Sequence, residues 1–150
     1  MKLSTKSRYG IRAMLSIALN KSDRPIPINQ IAEQQDIPGP YLEQLAGTLK
    51  RSGLVDSTRG AMGGYVLTRP PEDISIGDII RALEGSLAPM ACVDDDEVCC
   101  HSGNCAAHML YARITEGISK VFDSITLADM VADQQSLDCG ITCSCSQAAR

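Results

Sequence analysis

The chain has 150 residues, 44% of them hydrophobic and 21% charged, which suits one domain with a full apolar core or a small domain with an appended element. Lys6, Arg8 and Arg12 interrupt any signal-peptide run at the N-terminus, and no stretch approaches a membrane span. A cytoplasmic protein with reduced thiols is expected, so its seven cysteines imply metal or redox chemistry before structural disulfides. The net charge of −4 opposes nucleic-acid binding only on average. Residues 1–85 hold 11 Lys+Arg against 9 Asp+Glu, whereas residues 86–150 hold 3 against 9. Local charge governs contact with phosphate, and the basic excess lies in the first half.

Residues 7–19 carry Ile11, Met14, Leu15 and Ala18 at steps of three and four, which predicts an amphipathic helix. Pro25 and Pro27 break the loop that follows. Residues 28–35 read as a short helix and residues 36–40 as a tight turn. Residues 40–52 read as a longer helix with Pro40 in its first turn, where a missing N–H does no harm. Two β-prone runs, 54–58 and 65–68, flank the six residues from Arg59 to Gly64, three of which are glycine. That composition suits a tight, exposed hairpin tip. Ser75 and Asp78 have capping-box spacing and open a helix carrying Ile76, Ile79, Ile80 and Leu83, stopped near Gly85. Two short helices joined by a turn, then a hairpin, is the order of a winged helix–turn–helix.

Residues 86–108 read as a loop. A long helix follows over 106–124, with Leu110, Ile114, Ile118 and Val121 at near-heptad steps. That stripe is too apolar to leave exposed, so these four residues are the expected dimer seam. Thr126 and Asp129 resemble another N-cap, opening a short helix through about Gln134. From Ser136 onward Cys139, Cys143 and Cys145 lie in a stretch without periodicity, expected to be a flexible tail. The predicted class is mainly α, a winged helix–turn–helix with a long C-terminal dimerisation helix. Its expected divisions are a DNA-binding domain at 1–85, a metal-binding loop at 86–108, dimerisation helices at 106–135 and the tail at 136–150.

On the 40–52 helix, Leu42, Leu45 and Leu49 share the inner face, and Pro40, Tyr41, Glu43 and Gln44 are candidates for DNA contact. Gln44 has the donor–acceptor pair that adenine N6/N7 matches, and Glu43 can accept from cytosine N4. Glu43 also repels phosphate and so excludes wrong sites. The bland alternative is an ordinary solvated helix face. Arg59, flanked by glycine at the hairpin tip, suits insertion into a minor groove, where the potential is most negative. Lys2, Lys6, Arg8, Lys50 and Arg51 are candidate phosphate contacts, weighed against plain solubilising charge.

Cys92, Cys99, Cys105 and His108 fall within seventeen residues and make a four-ligand set for a soft or borderline metal. Structural zinc favours cysteine pairs with two to four intervening residues. Here six and five residues intervene, which suits a larger cluster wrapped by one loop. Iron–sulfur clusters take thiolates, and a histidine can replace one of them. Cys100 and His101 lie inside the loop as possible substitutes, so the second ligand is Cys99 or Cys100. The acidic run 94–97 offers hard oxygen donors poorly matched to such a site.

The chain resembles the iron–sulfur cluster regulator family of winged-helix transcription factors, the IscR-like proteins. The resemblance is carried by the opening residues 1–10, by 40–45 and by Arg59 to Tyr65. It continues through 73–80 and the Ala82-Leu83-Glu84-Gly85 ending, and it covers roughly residues 1–135. It implies a homodimer packed through the long C-terminal helices, a recognition helix at 40–52 and a minor-groove wing at Arg59. It implies double-stranded DNA with a pseudo-palindromic promoter site as the partner. It also implies an iron–sulfur cluster on Cys92, Cys99, Cys105 and a fourth ligand, with [2Fe–2S] expected and [4Fe–4S] the alternative. Some relatives take the fourth ligand from an acidic residue near the other subunit's N-terminus. This chain has Arg8 there, which favours His108. The alternative to cluster sensing is a cluster-free regulator of the same fold that responds to thiol oxidation, zinc or a small ligand. An electron-transfer enzyme is disfavoured, because nothing resembles a substrate or nucleotide site.

Overall fold

The structure is a computed structural model that describes residues 3–20, 24–60 and 62–140. Lys2, Cys143 and Cys145, and the side chain of Cys139, lie outside the described residues. Helix α1, Thr5–Ala18, starts two residues before its apolar periodicity because Ser4 caps it. The Ser4 hydroxyl accepts from the backbone N–H groups of Lys6 and Ser7 at 3.1 and 3.4 Å. Helix α2, Ile28–Gln35, ends at Asp36 in a left-handed conformation (φ 50°), which turns the chain into α3, Gly39–Arg51. Strands β1, Val55–Thr58, and β2, Gly64–Leu67, pair antiparallel in the register Val55↔Leu67 and Thr58↔Gly64. Ile26 adds one more rung, exchanging backbone bonds with Tyr65 at 3.0 and 2.9 Å.

Helix α4, Ile76–Glu84, carries the capping box in full. The Asp78 N–H donates to the Ser75 hydroxyl at 3.0 Å, and the Ser75 N–H to the Asp78 carboxylate at 3.2 Å. Gly85, at φ 84°, ends the helix where a side chain would be strained. The α4 face of Ile76, Ile79, Ile80 and Leu83 is buried in one core with Met14, Ile17, Ile31, Leu42, Leu45 and Leu49 of the first three helices.

Beyond Gly85 the loop contains three short 3₁₀ turns, Ala91–Val93, Asp96–Val98 and Ser102–Asn104. Helix α5, Ala106–Ser124, then runs the length expected, yet it has no buried residue in the single chain. Its C-terminal end is stitched to the start of α4: Ile76 N–H donates to Ile125 O at 2.9 Å and Leu127 N–H to Ile74 O at 2.8 Å. Thr126 and Asp129 cap α6, Leu127–Gly140, as their spacing predicted. That helix is longer than expected. The Gln134 side chain donates to Asp138 at 2.9 Å, an i,i+4 pair that extends the helix to Gly140, into the segment expected to be tail. No helix among the described residues is long and apolar enough to cross a membrane.

The α1–α4 contact turns on Gly10. A Cβ added there would collide with a Leu83 methyl group, and Leu83 is 2% exposed and has no room to retreat. Gly10→Val should therefore destabilise the fold by about 1–3 kcal/mol, read as a lower urea midpoint at unchanged slope. A midpoint equal to that of the native protein would refute the close approach.

Candidate functional site

Helix α3 buries Leu42, Leu45, Ala46 and Leu49 and exposes Pro40, Glu43 and Gln44 on the opposite side. No side chain caps its N-terminus, so its positive end is unshielded there. Tyr41 points elsewhere. It is half-buried and meets the Tyr9 ring edge-on, with centroids 6.0 Å apart, which fixes the first turn of α3 against α1. Arg8 is exposed with its guanidinium 5.1 Å from the Tyr9 ring centre. Arg12 reaches the Tyr9 ring as well and donates to the Gln35 side chain at 3.1 Å, tying α1 to the end of α2. Tyr9 and Arg12 support the reading helix without carrying any local sequence signal, since their partners are remote in the chain.

The basic candidates divide. Arg51 is exposed and donates to the Thr48 hydroxyl at 3.0 Å on its own helix. Lys50 lies 3.0 Å from Asp56 and donates to the Ser57 hydroxyl at 2.6 Å, so it braces the end of α3 to β1. The hydrogen bond from Lys50 to the Asp56 carboxylate holds that carboxyl below its usual range. Lys6 differs most from expectation. Its ammonium donates to the Leu83 carbonyl, where a cation satisfies the negative end of α4. The neighbouring Glu84 accepts from the Ser4 and Ser7 hydroxyls, and those bonds hold its carboxyl below the usual range. Lys6 thus clasps two helices with one of its three N–H donors. Its burial partners lie 77 residues along the chain, out of reach of local pattern.

Arg59 is exposed at the hairpin tip, and Gly60 beside it has φ 114°. The Gly63 N–H donates to Gly60 O at 2.9 Å, which closes a narrow turn with Met62 64% exposed at its end. The Arg59 guanidinium therefore stands in solvent beside a narrow turn.

The cysteine loop runs from Gly85 to the first turn of α5. Cys92, Cys99 and Cys105 are each half-exposed, whereas Cys100 is exposed. Cys105 is the N-cap of α5, its sulfur accepting the His108 N–H at 3.5 Å, and Nδ1 of His108 is buried. The Ser86 hydroxyl donates to Asp94 at 2.6 Å and holds the acidic run to the end of α4. The turn Ala91–Val93 packs on α5. Among the described residues no three Cys, His, Asp or Glu side chains converge on one point. The donor chemistry fits a soft metal, and Cys105 and His108 sit on one helical turn. Cys92 and Cys99 stand on separate turns of the loop and must move to join them.

A model of the Rrf2 family, described as iron-dependent transcriptional regulators, matches residues 3–133. The chain belongs to this family. It is 40% identical over 139 residues to the HTH-type transcriptional regulator IscR of Yersinia pseudotuberculosis, covering 92% of this chain and 84% of that one. The solved structure of T. potens IscR superposes with a TM-score of 0.74 at 39% identity, over 100% of this chain and 94% of the other. The structure of CymR, the global cysteine regulator of B. subtilis, superposes at 0.72 with 40% identity, over 88% and 97%. The Rrf2 assignment makes the protein a DNA-binding transcriptional regulator of winged-helix fold, and its relatives are regulators, not enzymes. IscR and CymR stand at equal distance in sequence, so identity does not divide one sensing chemistry from the other.

The exposed face of α3 and the wing generate a paired expectation. Gln44→Ala should alter preference at one base position by about 1–3 kcal/mol, the value of a bidentate pair to adenine. Arg59→Ala should weaken binding on all sequences and lower the salt slope by about one. Fluorescence anisotropy on a promoter duplex across a salt series reads both. Equal affinity for random and promoter duplex at moderate salt would remove α3 as a reader of bases.

Proposed function

We propose that the protein is a homodimeric regulator that senses iron–sulfur cluster status through Cys92, Cys99, Cys105 and His108 and reads a pseudo-palindromic promoter site. The observation that carries this reading is the place of Cys105. It is at once a candidate ligand and the N-cap of α5, the helix whose apolar residues lack cover. A ligand at that position holds the end of the helix directly. A bound cluster supplies an oxygen- and redox-sensitive cross-link between loop and helix, with [2Fe–2S] the form expected for a Cys3His set and [4Fe–4S] the alternative. The protein's own part is mechanical. Cys92 and Cys99 as ligands would draw the loop onto α5, and His108 would offer an imidazole nitrogen from the helix's first turn. The Ser86–Asp94 clasp keeps the other end of the loop on α4.

Dimerisation is argued from α5. Leu110, Ile114 and Val121 are 54%, 40% and 57% exposed, and Ile118 is half-exposed beside them. Together they make a stripe that water disfavours and a second α5 can cover. The alternative is a cluster-free regulator responding to thiol oxidation, zinc or a small ligand. One observation favours it: the comparable identity to the global cysteine regulator CymR.

Anaerobic purification with iron and sulfide quantitation and a visible spectrum separates the two readings. Under the cluster reading, Cys92→Ala, Cys99→Ala and Cys105→Ala each lose the colour, because an open iron site admits solvent and oxygen. His108→Ala should give a labile or spectrally altered cluster, and His108→Cys a more firmly held one. Cys100→Ala should retain it. Colour kept in Cys99→Ala but lost in Cys100→Ala would make Cys100 the second ligand. Stoichiometric zinc without iron would sink the cluster. Sedimentation tests the dimer independently: Ile118→Asp should run as a monomer or precipitate, and a normal dimer would move the seam off this stripe.

A further inference from the structure

Four alternating charges connect the wing to α5. Arg69, two residues beyond β2, lies 3.7 Å from Asp78 on α4. Asp78 lies 3.6 Å from Arg81, one turn along the same helix. Arg81 donates to Asp123 on α5 at 2.5 Å. The side chains are 36–45% exposed, so no pair alone contributes much to stability. The fold does not need them: Ile74 and Leu127 are fully buried at the same junction, and backbone bonds stitch it. Apolar contacts hold two elements together but tolerate small rotations, whereas a directional, charge-assisted hydrogen bond between guanidinium and carboxylate resists them.

Each member of the line is anchored. Asp78 is the third residue of α4 and is fixed by the capping box, so its carboxylate follows the helix backbone. Asp123 lies in the last turn of α5, where a carboxylate faces the negative helix end and calls for a nearby cation. Arg81 is that cation, and the hydrogen bond to Asp123 holds its guanidinium further above its ordinary pKa. Space for the pair exists because residue 77 is glycine. A Cβ there would meet the Asp123 carboxylate and come within 2.9 Å of the Arg81 guanidinium.

We infer that the line Arg69–Asp78–Arg81–Asp123 positions the wing against α5 and thereby sets the half-site spacing that the regulator accepts. In a twofold dimer joined through α5, turning each reading unit on its helix changes the distance between the two recognition helices. Arg81 and Asp123 are thus positioning residues for DNA specificity, distant from any base. The inference rests on the reading of α5 as the dimer helix.

The test uses the full-length protein and duplexes that carry two identical half-sites with spacers varied one base pair at a time. Asp123→Asn and Arg81→Gln remove the terminal pair. Gly77→Ala displaces it without altering charge, since the atoms in the way are flexible side-chain ends. Each variant should stay dimeric by sedimentation. Discrimination between the best spacer and its neighbours should fall by about three- to fivefold, the range an exposed ion pair can supply. Arg81→Lys, which keeps the charge without the planar guanidinium that reaches both carboxylates, should recover part of it. Dimeric variants with the wild-type spacing profile would overturn the inference. So would equal weakening at every spacer, the mark of a merely structural role. A monomeric wild type would instead overturn the dimer reading, and this inference with it.

Discussion

The arrangement depends on the seating of α4 against α1, where Leu83 lies on Gly10 with no room for a Cβ between them. Every functional element is placed relative to that contact. At its C-terminal end α4 is clasped by Lys6, Ser4 and Ser7. At its N-terminal end it meets the return from the wing through Arg69 and the α5–α6 junction through Ile76 and Ile125. The reading helix α3 packs on the same core through Leu42, Leu45 and Leu49. A side chain in place of Gly10 would therefore push on α3, the hairpin and α5 through α4, its clash being with Leu83.

What was legible in the sequence is what is local. The Ser75–Asp78 and Thr126–Asp129 spacings marked two helix starts that the structure reproduces. The glycines around Arg59 marked the hairpin, because a turn that narrow draws on residues a few positions apart. The apolar steps of α5 showed a helix with one face in need of cover. Illegible were the contacts that join remote segments. The contact of Lys6 with the Leu83 carbonyl and that of Tyr41 with the Tyr9 ring have no counterpart in local pattern. The Ser4 cap was missed because it lies ahead of the first periodic residue. The cysteine spacing announces donor chemistry, but spacing within a loop does not specify how the loop folds, and among the described residues no three donors converge.

The division of charge follows the same geometry. The acidic run 94–97 sits on the loop beside α5, and the wing and α3 carry Arg59 and Arg51. A chain that approaches DNA with this surface forward brings its basic groups to the phosphates, and the acidic half repels an approach through the loop. A protein with overall charge −4 can in this way present one productive face to a polyanion.

Helix α5 is held unequally at its two ends, and that asymmetry makes it suited to carry a signal. Its C-terminal end is fixed to α4 by two backbone bonds and the Arg81–Asp123 pair. Its N-terminal end is reached by the loop, whose own folding rests on short local bonds and the Ser86–Asp94 clasp. A helix of 19 residues is about 28 Å long at about 1.5 Å per residue, so it acts as a lever fixed at one end. Under the proposed reading, gathering the thiols at Cys105 constrains the free end, and releasing them lets it move. The Arg81–Asp123 pair then decides whether that motion turns the reading unit or is absorbed as bending. A stiff pivot transmits the angle to the wing, whereas a loose one would leave the two half-sites reading the same DNA whatever the state of the loop.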